Sequence, residues 1–308
     1  MKIKVKKEMY IKYPGRGMAA NLAVNYVGSG VKRLEIFTSE CEERDDLPMD
    51  PQKRYSNDNG RTWSDWEPLP EIVSFENDST GIWGGGLNFY DPVSGVHPSI
   101  WLRQTIVKKP ERRYYNHCFC RITEDDSKTW SQPQQLTYEE GAGFNPHNPL
   151  DPSFLQNNQV YPGTNTIRHS NGTLIHCATS INIPKNAPDP NPEKKYGNWW
   201  SPPDARDIGS ACFIGRWDNE KKQYEWKMGN CVWLPRSVSC RGLQEAYAAE
   251  LTDSRVLVIW RGSDTPETPG RKWFSISEDG GLNLSAVKEL KYDDGSRFYS
   301  PSSIHKMI

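Results

Sequence analysis

Apolar residues in this chain come in short runs that alternate with polar ones, as in "RLEIFTSE", "SIWLRQTIV", "TLIHCATSI", "ACFIGRW", "RVLVIWRGS" and "KWFSISE". These runs are rich in Val, Ile, Trp, Phe and Thr, and Gly, Asn, Asp and Pro punctuate them, which is the composition of strands and their turns. No stretch of about 12 residues keeps a 3.6-residue period, so few helices are expected and the fold class is all-β.

One turn-like segment recurs. "YSNDNGRTWSDW" sets Ser56, Asp58, Gly60, Thr62 and Trp63 at fixed offsets, and "TEDDSKTW" repeats them with Thr123, Asp125, Ser127, Thr129 and Trp130. "SEDGGLNL" keeps Ser277, Asp279 and Gly281 but lacks the Thr and Trp, and "GRWDNEKKQYEW" reads as an eroded copy around Asp218. The four aspartates are 67, 93 and 61 residues apart, periods a little longer than a four-stranded blade, which point to a β-propeller. The spacing suits a hairpin turn. Asp and Ser or Thr side chains accept from backbone N–H groups a few residues on, Gly takes a positive φ, and the Trp returns to the strand to pack on a neighbouring blade. A calcium loop at "SNDNG" lacks the bidentate Glu such loops carry at the twelfth position.

Composition narrows the partners. With 38 basic and 39 acidic residues in 308, no basic field invites nucleic acid, and a small molecule or glycan is the expected partner. The start, "MKIKVKKEMYIKYPG", is basic without the apolar core of a signal peptide, and no run of about 20 apolar residues offers a membrane span, so a cytoplasmic protein is expected. Seven cysteines without CxxC pairs read as reduced, buried thiols. Neither they nor the scattered histidines (His97, His117, His147, His169, His176, His305) have metal-ligand spacing, so no metal or other cofactor is expected.

The pattern Ser/Thr-x-Asp-x-Gly-x-Thr-Trp resembles the Asp box, or BNR repeat, of the sialidase (neuraminidase) superfamily. That resemblance implies a single domain over residues 1–308, a six-bladed β-propeller with its active site at the central axis. A second segment, "QEAYAAELTDSRVLVIWRGS", is similar to the sialidase stretch that runs from a catalytic glutamate to a substrate-binding arginine. Position by position, Glu245 is the glutamate and Arg261 the arginine, while Ser254 stands where the family usually has Gly. The chemistry explains the residue types: the planar donor fork of a guanidinium grips the carboxylate on the anomeric carbon of sialic acid. A carboxylate nucleophile would approach against like charge, so sialidases attack with a Tyr whose proton a neighbouring Glu accepts, and an Asp serves as general acid.

The same resemblance nominates the remaining parts. Arg16 in "YPGRGMAAN" is the candidate first arginine, and Asp46, followed by Asp45, is the candidate acid in "CEERDDLPMDPQKRYS". "GSRFYSPSSIH" resembles the segment around the nucleophile, which makes Tyr299 the tyrosine and Arg271 the third arginine. Arg261 and Arg271 are ten residues apart, however, too close for the blade that separates those arginines in the family. Two readings stay open: Tyr299 is the nucleophile, or it is an inner-strand residue of a fifth blade in a chain that lacks the closing one. Of two loops rich in Pro, Asn and Gly, "NIPKNAPDPNPEKKYGNWWSPPD" carries Trp199 and Trp200, which either stack on a sugar ring or pack a lid on the propeller. The function implied is an exo-glycosidase acting on terminal sialic acid or a related acidic sugar. The alternatives are a non-catalytic glycan-binding or scaffold propeller and a glycosidase of other specificity.

Overall fold

A computed structural model describes residues 18–27, 33–42, 45–68, 72–74, 80–88, 90–107, 113–125, 128–197 and 208–299. Arg16, Trp199 and Trp200 lie outside them, and for Asp45 and Asp46 the backbone alone is described. The described residues form four antiparallel sheets and one short helix. In every sheet the strands are hydrogen-bonded in chain order, so each is a meander built from local hairpins.

The chain divides into two compact units, residues 1–71 and 72–308. The first contains β1 (Met18–Val27), β2 (Arg33–Glu42), β3 (Asp45–Ser56) and β4 (Glu67–Pro68). Asp45 and Asp46 open β3, directly after the β2–β3 hairpin, where Asp45 is the Cα partner of Glu42.

The second unit holds three sheets. β5 (Ile72–Ser74), β6 (Thr80–Asn88), β7 (His97–Val107), β8 (Arg113–Thr123) and β9 (Gln134–Gln135) form one. β10 (Thr166–Arg168), β11 (Leu174–Asn182), β12 (Ile208–Asp218) and β13 (Gln223–Met228) form the next. β14 (Leu243–Glu250), β15 (Val256–Gly262), β16 (Lys272–Ser277) and β17 (Lys288–Glu289) form the last, and helix α1 (Pro152–Gln156) packs Phe154 and Leu155 against Phe119 of β8.

Strand β11 shows how these sheets stack. All nine of its residues are buried. Leu174 and Ala178 join a core with Ile100, Cys118 and Phe213, while Ile175 and Cys177 face Leu243, Val258 and Trp260 of the last sheet. A strand covered on both faces needs no alternation, and this one buries His176, Thr179, Ser180 and Asn182 beside its apolar residues. In β15, by contrast, Val256, Val258 and Trp260 are buried while Leu257, Ile259 and Arg261 are partly exposed, as expected of a sheet with one face on the core.

Asp58, Asp125 and Asp279 sit in the turn between the last two strands of a sheet, and Asp218 is the strand residue that leads into such a turn. In the first unit, Ser56 Oγ donates to Asp58 Oδ1 at 2.8 Å and accepts from Gly60 N at 2.7 Å. Asp58 in turn accepts from Thr62 N at 2.8 Å and Thr62 Oγ1 at 2.6 Å. Asp125 repeats these bonds with Thr123 and Thr129, and donation from Thr129 holds its carboxyl at about 2. At Asp279 the missing Thr is replaced by Asn283, whose backbone N and Nδ2 donate at 2.8 and 2.6 Å. Asp218 caps a different turn, accepting from the backbone N of Glu220 and Lys221.

Trp130 lies edge-on to Trp101 at 6.2 Å with Arg121 stacked over Trp101, and Arg54 of β3 lies over Trp63. Cys177 and Cys212 form a disulfide, where reduced thiols were expected. They are directly opposed Cα partners in β11 and β12, 4.0 Å apart, a juxtaposition that a separation of 35 residues conceals. Cys118, Cys120 and Cys231 are free thiols.

Candidate functional site

The last sheet gathers the chemistry. β14 opens with a β-bulge: Gln244 pairs with Arg261 and Tyr247 with Ile259, so three steps on β14 match two on β15. The extra residue breaks the alternation and re-aims the local side chains. Glu245 lies in this bulge with φ of 51°, the left-handed region that a side chain with Cβ enters only at a cost. From there its Oε1 meets Arg261 Nη2 at 3.1 Å, with side-chain exposures of 32% and 25%. A half-exposed pair of this kind adds at most about 1 kcal/mol to stability, less than would make it a structural necessity.

Arg261 lines a cavity of about 880 Å³ together with Arg241, Tyr299 and residues 262–270, which connect β15 to β16. The wall is tied down. Ser239 Oγ donates to the carbonyl of Gly242 at 2.6 Å and accepts from Ser263 N at 2.8 Å, linking the residues beside Arg241 to the loop. Gln244 Nε2 donates to the Arg241 carbonyl at 2.8 Å. Gly262 begins the loop because a Cβ there would lie 2.4 Å from Trp273 Nε1. Lys195, from the described part of the Pro-rich loop, reaches Glu267 of this wall at 3.4 Å.

Charges of both signs meet here, Arg241 and Arg261 lining the cavity together with Asp264 and Glu267. Burial lowers the proton affinity of Arg241 and the neighbouring Arg261 lowers it further, while Glu245 and Tyr161 oppose them. Lys272, the Cα partner of Arg261 on β16, is 1% exposed, and burial lowers its proton affinity too. Arg241 and Arg261 offer the cavity two guanidinium groups, donors suited to an anion.

The structure sorts the sequence candidates. Arg261 and Tyr299 line one cavity, and Glu245 is paired with Arg261 but is not among the lining residues. Tyr299 lies outside the strands of the described residues and is 57% exposed. Arg271 turns its guanidinium to Glu289 of β17 at 3.3 Å and is not among the cavity's lining residues. Arg241 and Lys272 were missed. Arg241 stands four residues before Glu245, inside reach of the motif, whereas Lys272 carries no signal until the β15–β16 register is known. Ser254, at the family's Gly position, has φ of 66°, which gives the reason a Gly suits that turn. Among the described residues no group of three or more His, Cys, Asp or Glu is placed to hold a metal ion. No described helix is long and apolar enough to cross a membrane.

No family model matches the chain. It is 28% identical over 141 residues to an exo-alpha-sialidase of Aspergillus fumigatus, a match that takes in 41% of this chain and 31% of that protein. Among solved structures, a protein of unknown function from Dyadobacter fermentans superposes with a TM-score of 0.55 at 13% identity, covering 88% of this chain and 68% of that one. The NanB sialidase of Streptococcus pneumoniae gives 0.52 at 10% identity over 92% and 54% of the two chains. The Hadza microbial sialidase Hz136 gives 0.50 at 13% identity over 88% and 46%. The fold is therefore all-β and sialidase-like, and the chain spans less than a third of the Aspergillus protein.

Proposed function

We propose that the chain is an exo-glycosidase that removes a terminal sialic acid or a related acidic sugar, its sheets being consecutive blades of a six-bladed Asp-box propeller. The observation that carries this reading is the Glu245–Arg261 pair at the edge of a cavity that Arg241 and Tyr299 also line. Arg261 and Arg241 grip the sugar carboxylate, with Arg16 as a further arginine from the first unit. Glu245 accepts the phenol proton of Tyr299, and the phenolate attacks the anomeric carbon. The bond to the leaving oxygen breaks as Asp46, or Asp45, protonates it, and water then hydrolyses the glycosyl-tyrosine. Trp199 and Trp200 offer the sugar a stacking surface. No metal or other cofactor enters these steps.

The test is hydrolysis of a fluorogenic α-sialoside by the wild type, Glu245→Gln and Tyr299→Phe, with folding followed by thermal melts. Loss of general-base help lowers kcat by about 10²–10⁴-fold in Glu245→Gln. Near-wild-type turnover in that variant overturns the assignment. A second reading, a glycan-binding module without turnover, draws support from Arg271, whose engagement with Glu289 takes it from the role of third arginine. Calorimetric binding of sialic acid by a protein without hydrolytic activity favours that reading.

A further inference from the structure

The bulge that carries Glu245 is held from a neighbouring sheet. Because three steps of β14 match two of β15, Glu245 and Ala246 have no Cα partner in the ladder, which alone does not fix their backbone. The carbonyl of Ala246, a residue with 0% exposure, instead accepts two donors from Thr164: its backbone N at 2.7 Å and its Oγ1 at 2.9 Å. The next residue, Asn165, takes both backbone groups of Ala248. Its Nδ2 donates to the Ala248 carbonyl at 2.8 Å, and its Oδ1 accepts from Ala248 N at 2.9 Å.

Thr164 and Asn165 belong to the segment 161–165 that leads into β10, and that segment is itself anchored. Tyr161 and Thr179 of β11 exchange backbone hydrogen bonds at 2.8 and 2.9 Å. Gly163 lets the segment come against both strands, since a Cβ there would collide with the carbonyl oxygens of Cys177 on β11 and Ala246 on β14. On the other side of the bulge, Gln244 pairs with Arg261 and donates from Nε2 to the Arg241 carbonyl. Glu245, with φ of 51°, is thus held between two fixed points, and a left-handed residue with a Cβ persists only where its surroundings over-determine it.

We propose that Thr164 is a positioning residue for Glu245: its donors to the Ala246 carbonyl hold the β14 bulge in the form that aims the Glu245 carboxylate at Arg261. The role rests on the proposed function, in which that carboxylate accepts the phenol proton of Tyr299. A base must stand within hydrogen-bond reach of the proton it takes, and a misplacement of about 1 Å lowers turnover by about 10²-fold. Val tests the hydroxyl cleanly, because it keeps the branched shape of Thr and removes the Oγ1 donor.

The experiment compares crystal structures and kinetics of the wild type, Thr164→Val and Thr164→Ser, with Asp279→Ala as a control destabilised in a turn that does not line the cavity. In Thr164→Val, Glu245 Oε1 should move by about 1 Å or more from Arg261 Nη2, and kcat on the fluorogenic α-sialoside should fall about 10–10²-fold with KM within about threefold. Thr164→Ser keeps the hydroxyl and should restore the contact, with kcat within about twofold of the wild type. A merely structural contact would lower the melting temperature of Thr164→Val and leave kcat unmoved, as expected for Asp279→Ala at temperatures well below its melt. A Thr164→Val structure in which Glu245 keeps φ near 51° and lies 3.1 Å from Arg261 overturns the proposal. Unchanged kcat in an active series overturns it equally. Should Thr164→Val not fold, Thr164→Ala removes the same hydroxyl with less bulk. A displaced carboxylate in a series whose wild type has no turnover sinks the enzymatic reading alone and leaves the placement of Glu245 by Thr164 standing.

Discussion

Asp91 is the sharpest place to test the packing of the second unit. It sits in the β6–β7 connection with 0% exposure, and its carboxylate receives an ion pair from Arg168 at the end of β10. It also accepts from Ser94 Oγ at 2.6 Å, Val93 N at 3.0 Å and the hydroxyl of Tyr224 on β13, so one carboxylate joins two sheets. Asp91→Asn preserves the shape but removes the charge and turns a donor toward other donors. Removing one partner of a buried pair costs about 3–5 kcal/mol, and the 15% exposure of Arg168 puts the expectation near the lower figure. At about 2–4 °C per kcal/mol for a unit of this size, the melt should fall by about 6–12 °C. Burial pushes the Asp91 pKa up, but donation from Arg168, Ser94 and Tyr224 outweighs it and leaves the carboxyl below its ordinary value. A depressed folded pKa supplies stability that is present above the unfolded value of about 3.9 and is lost as pH falls through the folded one. Urea unfolding of both proteins should then show a constant gap between about pH 5 and 8 that narrows below about pH 4. A gap under about 1 kcal/mol at pH 7, or one that does not narrow in acid, refutes the reasoning.

Three further outcomes are expected. Replacing Cys177 and Cys212 with Ala, or reducing the wild type, should cost about 4 kcal/mol for a closed loop of 35 residues, read as a lower urea midpoint that a reductant no longer changes in the variant. Asp279→Ala strips the acceptor of Asn283 N, Asn283 Nδ2 and Ser277 Oγ and should cost about 2 kcal/mol by urea unfolding. Glu245→Asn should stay within about 1 kcal/mol of the wild type, because Asn tolerates the left-handed backbone and the lost ion pair is half exposed, while turnover disappears.

What the sequence disclosed is what local chemistry determines. The hairpin turns at Asp58, Asp125 and Asp279 were legible because every donor and acceptor lies within five residues of the aspartate. Glu245 and Arg261 were legible through a motif that spans one hairpin and brings its ends together as a register-paired edge. The Cys177–Cys212 bond was hidden, since it depends on which residue of β12 opposes which of β11. Arg271 and Lys272 show the same limit at closer range. Adjacent residues of a strand point to opposite faces, so a one-residue difference decides which cation joins Arg261 and which joins Glu289. The family resemblance nominated Arg271 against its spacing, and the register sets Lys272 opposite Arg261.

The turns and the site edge obey opposite rules, and that contrast argues for function at the edge. In the turns, polar groups are matched and positive φ falls largely on residues that accept it, such as Asn59, Gly60 and Gly281. At the start of β14 a glutamate takes a left-handed φ, and at the start of β16 a lysine is buried with no hydrogen-bond partner among the described residues. Each departure carries a cost of order 1 kcal/mol or more. Asn or Gly at 245 and an apolar residue at 272 would relieve them without disturbing the core behind Trp260. Both sit next to Arg261 in the strand register, Arg261 lines the cavity, and strain and unmatched charge collect where a ligand completes the set, which argues for function at this edge.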